Sequence, residues 1–131
     1  MTLTQFMLKY KDTKVDYDNA HGPQCMDLAR QFIKDVLDLP QPPAVEGAKD
    51  LINNPGVLKV TKDSVLADYS KNDLLVWGPT SKNEYGHVAI LVAVYNTKYF
   101  IVFEQDGFKQ DGAKLALRSR EGLLGCLYKE E

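Results

Sequence analysis

Apolar residues follow one spacing before Gly56 and another after it, and this break constrains the fold more than any other feature. Before it, the spacing is helical. Leu3, Phe6, Met7 and Tyr10 share one face of a short helix expected over residues 2–11. Cys25, Leu28, Ala29, Phe32, Ile33 and Val36 form a longer stripe, which Pro40, Pro42 and Pro43 must end. A shorter helix is expected over Val45–Ile52, closed by Asn53-Asn54-Pro55-Gly56. Beyond Gly56 the runs are short and rich in β-branched and aromatic residues. Strands are predicted at Val57–Thr61, Leu74–Trp77, His87–Tyr95, Tyr99–Glu104, Lys114–Leu117 and Leu123–Tyr128. Turn formers separate them: Gly78-Pro79, Asn96-Thr97, Asp106-Gly107 and Asp111-Gly112. Helices first and strands afterwards predict an α+β domain. An antiparallel sheet of about five to six strands should pack against the cysteine helix.

The chain of 131 residues suits one domain, spanning residues 1–131, with no repeat, linker or second domain expected. Its net charge of −2 gives no electrostatic reason to expect nucleic acid or an anionic surface as partner. No apolar run is long enough to span a bilayer. Residues 1–10 show no basic segment followed by an apolar one, so no secretory signal is expected and synthesis should be cytoplasmic. Cys25 and Cys126 are expected as free thiols, and the domain as a monomer.

The chemistry gathers around Asp16-Tyr17-Asp18-Asn19-Ala20-His21-Gly22-Pro23-Gln24-Cys25-Met26-Asp27. A cysteine in the first turn of a helix sits where unpaired N–H groups and the helix dipole favour a thiolate. A lone cysteine on a core stripe is more often a buried apolar thiol. Two later motifs alter that balance. Tyr85-Gly86-His87-Val88-Ala89 puts a histidine at the start of an apolar strand, and Phe103-Glu104-Gln105-Asp106 ends the next strand in acids. If those strands form a hairpin, His87 and Glu104 meet at one end of it. Thiolate, imidazole and orienting carboxylate are the parts of a cysteine hydrolase. Asp16 and Asp18 alternate as in a calcium loop but lack its closing glutamate, a place Asp27 can take. At about 100° per residue, Cys25 and Asp27 point to nearly opposite sides of the helix. A solvated acidic loop capping the helix explains the same spacing, and oxygen donors favour Ca²⁺ over Zn²⁺ if an ion is held.

Taken together, Gly22-Pro23-Gln24-Cys25-Met26-Asp27-Leu28, Tyr85-Gly86-His87-Val88-Ala89 and Phe103-Glu104-Gln105-Asp106 resemble the CHAP family, with Asn72-Asp73-Leu74-Leu75-Val76-Trp77 as a fourth motif in family order. These are cysteine, histidine-dependent amidohydrolases/peptidases with a papain-like fold, common in bacteriophage lysins. The resemblance implies Cys25 as nucleophile, His87 as general base and Glu104 as its orienting partner. Asp106 stands where the family commonly has asparagine, and an aspartate cannot donate an amide hydrogen bond. Gln24 is implied as an oxyanion donor. Asp16, Asp18 and Asp27, with the carbonyls of Ala20 and Gly22, are implied as ligands of a structural calcium ion. The activity implied is cleavage of an amide in bacterial peptidoglycan during phage lysis, with release to the cell wall; no separate wall-binding domain is expected in these residues, though such lysins often carry one. The bond is either N-acetylmuramoyl–L-alanine or one within the peptide cross-link. Two other readings stay open: an inactive relative that only binds wall peptide, and a calcium-responsive module whose cysteine is structural. His21 reads as surface, Trp77 and Cys126 as core, and Tyr85 as a cleft-border residue.

Overall fold

A computed structural model describes residues 1–18, 24–106 and 111–130. Helix α1 spans Leu3–Tyr10 and α2 spans Cys25–Phe32. Strands follow at Lys59–Lys62 (β1), Leu74–Trp77 (β2), His87–Val94 (β3), Tyr99–Glu104 (β4), Lys114–Ser119 (β5) and Leu123–Tyr128 (β6). They form one antiparallel sheet in the order β1-β6-β2-β3-β4-β5. The last strand therefore lies between the first two. This is the expected α+β, papain-like arrangement, with the helices on one face of the sheet.

Each face of the sheet has its own core. Leu74, Val76, Val88, Ile90, Phe103 and Leu127 pack under Leu3 and Phe6 of α1 and Leu28, Ala29 and Phe32 of α2. Leu75, Trp77, Ala89, Leu91, Phe100, Val102 and Cys126 form the other core, covered by Tyr69. Being central, β2 is buried on both faces, so Leu74–Trp77 is a continuous apolar run without alternation. Fully burying each such side chain contributes roughly 1.5–3 kcal/mol. The β3–β4 hairpin closes as expected, with the Asn96 carboxamide oxygen accepting the N–H groups of Lys98 and Tyr99. Thr2 caps α1, exchanging hydrogen bonds with Gln5.

The structure departs from the expected elements in two places. The cysteine stripe is α-helical only to Phe32 and continues as a wider π turn at Ile33–Leu37. That wider turn buries Leu37 in the core beside Ile33, with Val36 partly buried against it. Asp38 ends it in the left-handed region, and Lys129 donates to the Leu37 carbonyl at 2.8 Å. The helix expected over Val45–Ile52 is a 3₁₀ turn beginning only at Ala48. Gly47 is extended, and a Cβ there would lie 2.7 Å from the Tyr85 carbonyl oxygen. This close packing keeps residues 45–47 out of the helix and makes them a wall of a cleft. Smaller differences are at strand ends: β1 starts at Lys59, and β5 runs on to Ser119.

Candidate active site

Cys25 is the first residue of α2, half-buried at the helix N-terminus. The first turn is stapled by Asp27, whose Oδ2 accepts the Gln24 N–H at 2.9 Å. His87 opens β3 opposite Trp77, and the two rings lie 5.9 Å apart. The histidine is held there by the chain just before it. Gly86 has φ of 76°, in the left-handed region where glycine is favoured, and its carbonyl accepts the Asn83 amide at 2.8 Å. A Cβ at Gly86 would also collide with the Trp77 carbonyl.

The three expected groups form a hydrogen-bonded row. His87 Nε2 lies 3.0 Å from Glu104 Oε1, and the ring also hydrogen-bonds the Cys25 thiol. With Nε2 committed to the carboxylate, the nitrogen left for the thiol is Nδ1. Burial disfavours the charged imidazole, but the bonds to Cys25 and Glu104 outweigh it, and the His87 pKa rises to about 9. Burial also works against Glu104 as an anion. The hydrogen bonds from His87 and Arg118 overcome it and pull its pKa down to about 2. At neutral pH the pair is imidazolium and carboxylate.

Sequence reasoning missed two residues here. Arg118, on β5, grips Glu104 with both ends of its fork, Nε to Oε1 at 2.6 Å and Nη2 to Oε2 at 3.0 Å. No motif marks it; the only signal is a charge ending the inward-facing positions of an alternating strand. Gln105 was part of a quoted motif but given no role. It is fully buried, and its amide accepts the Val15 N–H at 2.8 Å while donating to the carbonyls of Val15 at 2.7 Å and Gln24 at 2.9 Å. One side chain thus ties the end of β4, the acidic loop and the residue before Cys25.

Asp16, Asp18 and Asp27 also converge, each placing a carboxylate oxygen within 4.8 Å of the others. Asp16 Oδ1 is buried with no hydrogen-bond partner among the described residues. Burial and the neighbouring carboxylates of Asp18 and Asp16 push the Asp27 pKa up to about 6, against the hydrogen bond from Gln24. Ala20, Gly22 and His21 lie outside the described residues.

A cleft of about 800 Å³ opens over the row, bordered by Gln24, Cys25, His87 and Asp106, with Tyr85, Val45 and Gly47 on the facing wall. Tyr85 stands at its edge, 44% exposed. Trp77 is core, donating its indole N–H to the Ser119 carbonyl. Cys126 is buried against Asp73 at 3.7 Å, and burial pushes its pKa up to about 12, leaving an inert thiol.

Among known proteins, Endolysin PlyTW of Staphylococcus phage Twort is 34% identical over 100 residues, covering 72% of this chain and 21% of that protein. The chain therefore spans about a fifth of the curated relative it matches. The crystal structure of the wild-type endolysin LysIME-EF1 superposes with a TM-score of 0.67 at 17% identity, over 98% of this chain and 66% of that one. That of Ly7917 gives 0.69 at 16% identity, over 98% and 62%. At these identities the superpositions show a common fold. The CHAP domain model matches residues 14–106, a span holding the acidic loop, Cys25, His87, Glu104 and Gln105, and the chain belongs to the CHAP family.

Proposed function

We propose that this domain hydrolyses an amide bond of bacterial peptidoglycan by thiolate attack from Cys25. The observation that carries the reading is the hydrogen-bonded row Cys25–His87–Glu104 at the foot of an open cleft. A histidine beside a cysteine can take up the thiol proton and return it during turnover. Cys25 Sγ attacks the scissile carbonyl carbon, and the oxyanion is met by backbone N–H groups at the start of α2 with Gln24 beside them. His87 then gives its Nδ1 proton to the departing amine as the C–N bond breaks. Water, deprotonated by the now neutral His87, attacks the thioester and releases the acid and the thiol. Glu104 keeps the ring in position throughout. Asp106 lies at the cleft margin, where the family commonly has asparagine. All three groups come from one chain, so a monomer is sufficient.

Peptidoglycan as substrate is supported by the family and by the relative named as an endolysin. The bonds in question are N-acetylmuramoyl–L-alanine and those of the peptide cross-link. Synthesis in a host cytoplasm and action at the wall during phage lysis follow from the same kinship. No helix among the described residues is long and apolar enough to cross a membrane. The intact row favours hydrolysis over wall binding alone.

We also assign Asp16, Asp18 and Asp27 to a calcium ion, with the carbonyls of Ala20 and Gly22 as further candidates. The support is the orphaned Asp16 Oδ1 and the three crowded carboxylates, which are hard oxygen donors of the kind that cation takes. Its contribution would be charge neutralisation that orders the loop. The chemical steps stay with Cys25 and His87.

Mass spectrometry of fragments released from purified peptidoglycan tests the reading. New amino termini identify the bond, and Cys25→Ala should release none. Fragment release by that variant at the wild-type rate would refute Cys25 as nucleophile.

A further inference from the structure

Glu104 is a buried carboxylate that must stay ionised and aimed at His87. A buried anion is costly unless its lone pairs are filled by well-placed donors. One oxygen alone serves His87, so the carboxylate plane is free to rotate unless a second group holds it. The nearest cation in register is Lys114, directly across from Glu104 on β5. Lys114 instead faces Asp111 at 3.7 Å. The group on Glu104 is Arg118, which stands opposite Phe100, farther along the strand. By strand alternation, Ala116 lies between Lys114 and Arg118 on the same face, and its small side chain leaves room for the arginine to lie back towards Glu104. Only a guanidinium can bond both oxygens in one plane; an ammonium is a point charge with no such fork.

We propose that Arg118 is a positioning residue of the catalytic row, clamping both Glu104 oxygens so that Oε1 stays on His87 Nε2. The proposal rests on the thiol-hydrolase reading of the row and adds a member from the edge strand. Arg118 does not border the cleft, so it acts through Glu104 and not on substrate. Among the described residues, the charged or titratable groups acting on the His87 ring include Cys25 from α2, Glu104 from β4 and Arg118 from β5; Asp106 lines the same cleft, and Trp77 from β2 is neutral. The positive charge of Arg118 opposes the pull of Glu104 on the imidazole, so the clamp restrains as well as orients.

The test compares wild type, Arg118→Met, Arg118→Lys and Lys114→Met by rate of peptidoglycan fragment release and by the NMR resonance of the His87 Nε2 proton. Arg118→Met should lower the rate at saturating wall material by about tenfold to a hundredfold, a range typical of lost alignment. The half-saturating concentration should hold, and the Nε2 proton should lose its carboxylate-bonded shift. Arg118→Lys keeps the charge and should recover only part of the rate. Lys114→Met should match wild type. If Arg118→Met fails to fold, Arg118→Lys carries the same two readouts. A wild-type rate in Arg118→Met, full recovery by lysine, or a lowered rate with an unchanged Nε2 resonance each overturns the proposal. If wild type releases no fragments, the substrate reading fails, and the resonance still decides whether Arg118 holds the pair.

Discussion

Two knots of charge gather beside the first turn of α2, and they are built on opposite plans. In the His87–Glu104–Arg118 group, each carboxylate oxygen has donors and the charges alternate in sign. Both ionisable partners are driven towards their charged forms, His87 up to about 9 and Glu104 down to about 2. In the Asp16–Asp18–Asp27 group, like charges crowd together, one buried oxygen has no partner among the described residues, and Asp27 is driven towards its neutral form. The first knot is complete in the polypeptide. Under the calcium proposal, a cation would complete the second. Gln105 touches the loop of one and adjoins the carboxylate of the other. The contrast suggests that catalysis and loop order are chemically separate but mechanically joined.

The sharpest way to break this picture is Cys25→Ala. It should lower fragment release by at least about a thousandfold, as loss of a nucleophile does, and leave the melting temperature unchanged. A matching drop in melting temperature would mean that the thiol is structural after all. Next comes Glu104→Gln, expected to cost about a hundredfold to ten-thousandfold in rate, since the imidazole loses both its orientation and its counter-charge. The pH profile gives the sign. The His87 pKa is raised, from 6.5 to about 9, so what the pair contributes is fully present below the lower value and is lost as pH rises through about 9. The Glu104 pKa is lowered, from 4.5 to about 2, so its share is present above the higher value and lost as pH falls through about 2. Activity should therefore extend to about pH 9 in wild type, and Glu104→Gln should draw that alkaline limb downward.

Two smaller effects probe the second knot and the link. Gln105→Leu strands the polar groups of Val15 and the Gln24 carbonyl, and should cost about 2–4 kcal/mol of unfolding free energy. Urea titration measures this, and a loss under a few tenths would show that the three segments hold without it. Chelation of divalent cations should lower the melting temperature by roughly 5–10 °C, given about 2.7 kcal/mol for an ion at a hundred times its dissociation constant. Asp16→Asn should remove most of that response. Because the Asp27 pKa is raised, the chelated protein loses stability as pH rises through about 6, and added calcium should help more at pH 7 than at pH 5.

Much of this was legible from residue order, for identifiable reasons. Strand runs such as Leu74–Trp77 and His87–Val94 are dense enough in branched and aromatic residues to outvote local ambiguity. The β3–β4 hairpin follows from a short turn, so His87 and Glu104 had to meet at its open end. What was not legible depends on contacts distant in sequence. The late start of the 3₁₀ turn comes from the packing of Gly47 on Tyr85. The π turn at Ile33–Leu37 is finished by Lys129 from the far end of the chain. Arg118 reads as a routine exposed charge until the sheet order sets β5 against β4. Gln105 reads as filler until the loop folds over it.

The position of β6 has a consequence for synthesis. Emerging from a ribosome, the chain makes the cysteine helix, then β1 to β5, before the strand that belongs between β1 and β2 exists. Until Leu123–Tyr128 arrives, the sheet has a gap with two unsatisfied edges, and pairings across it span a long stretch of chain. In a nascent domain β2–β5 can pair while β1 stays unattached, and the sheet is completed only when translation of this segment is finished. Completion of the sheet is thus deferred by sequence order alone.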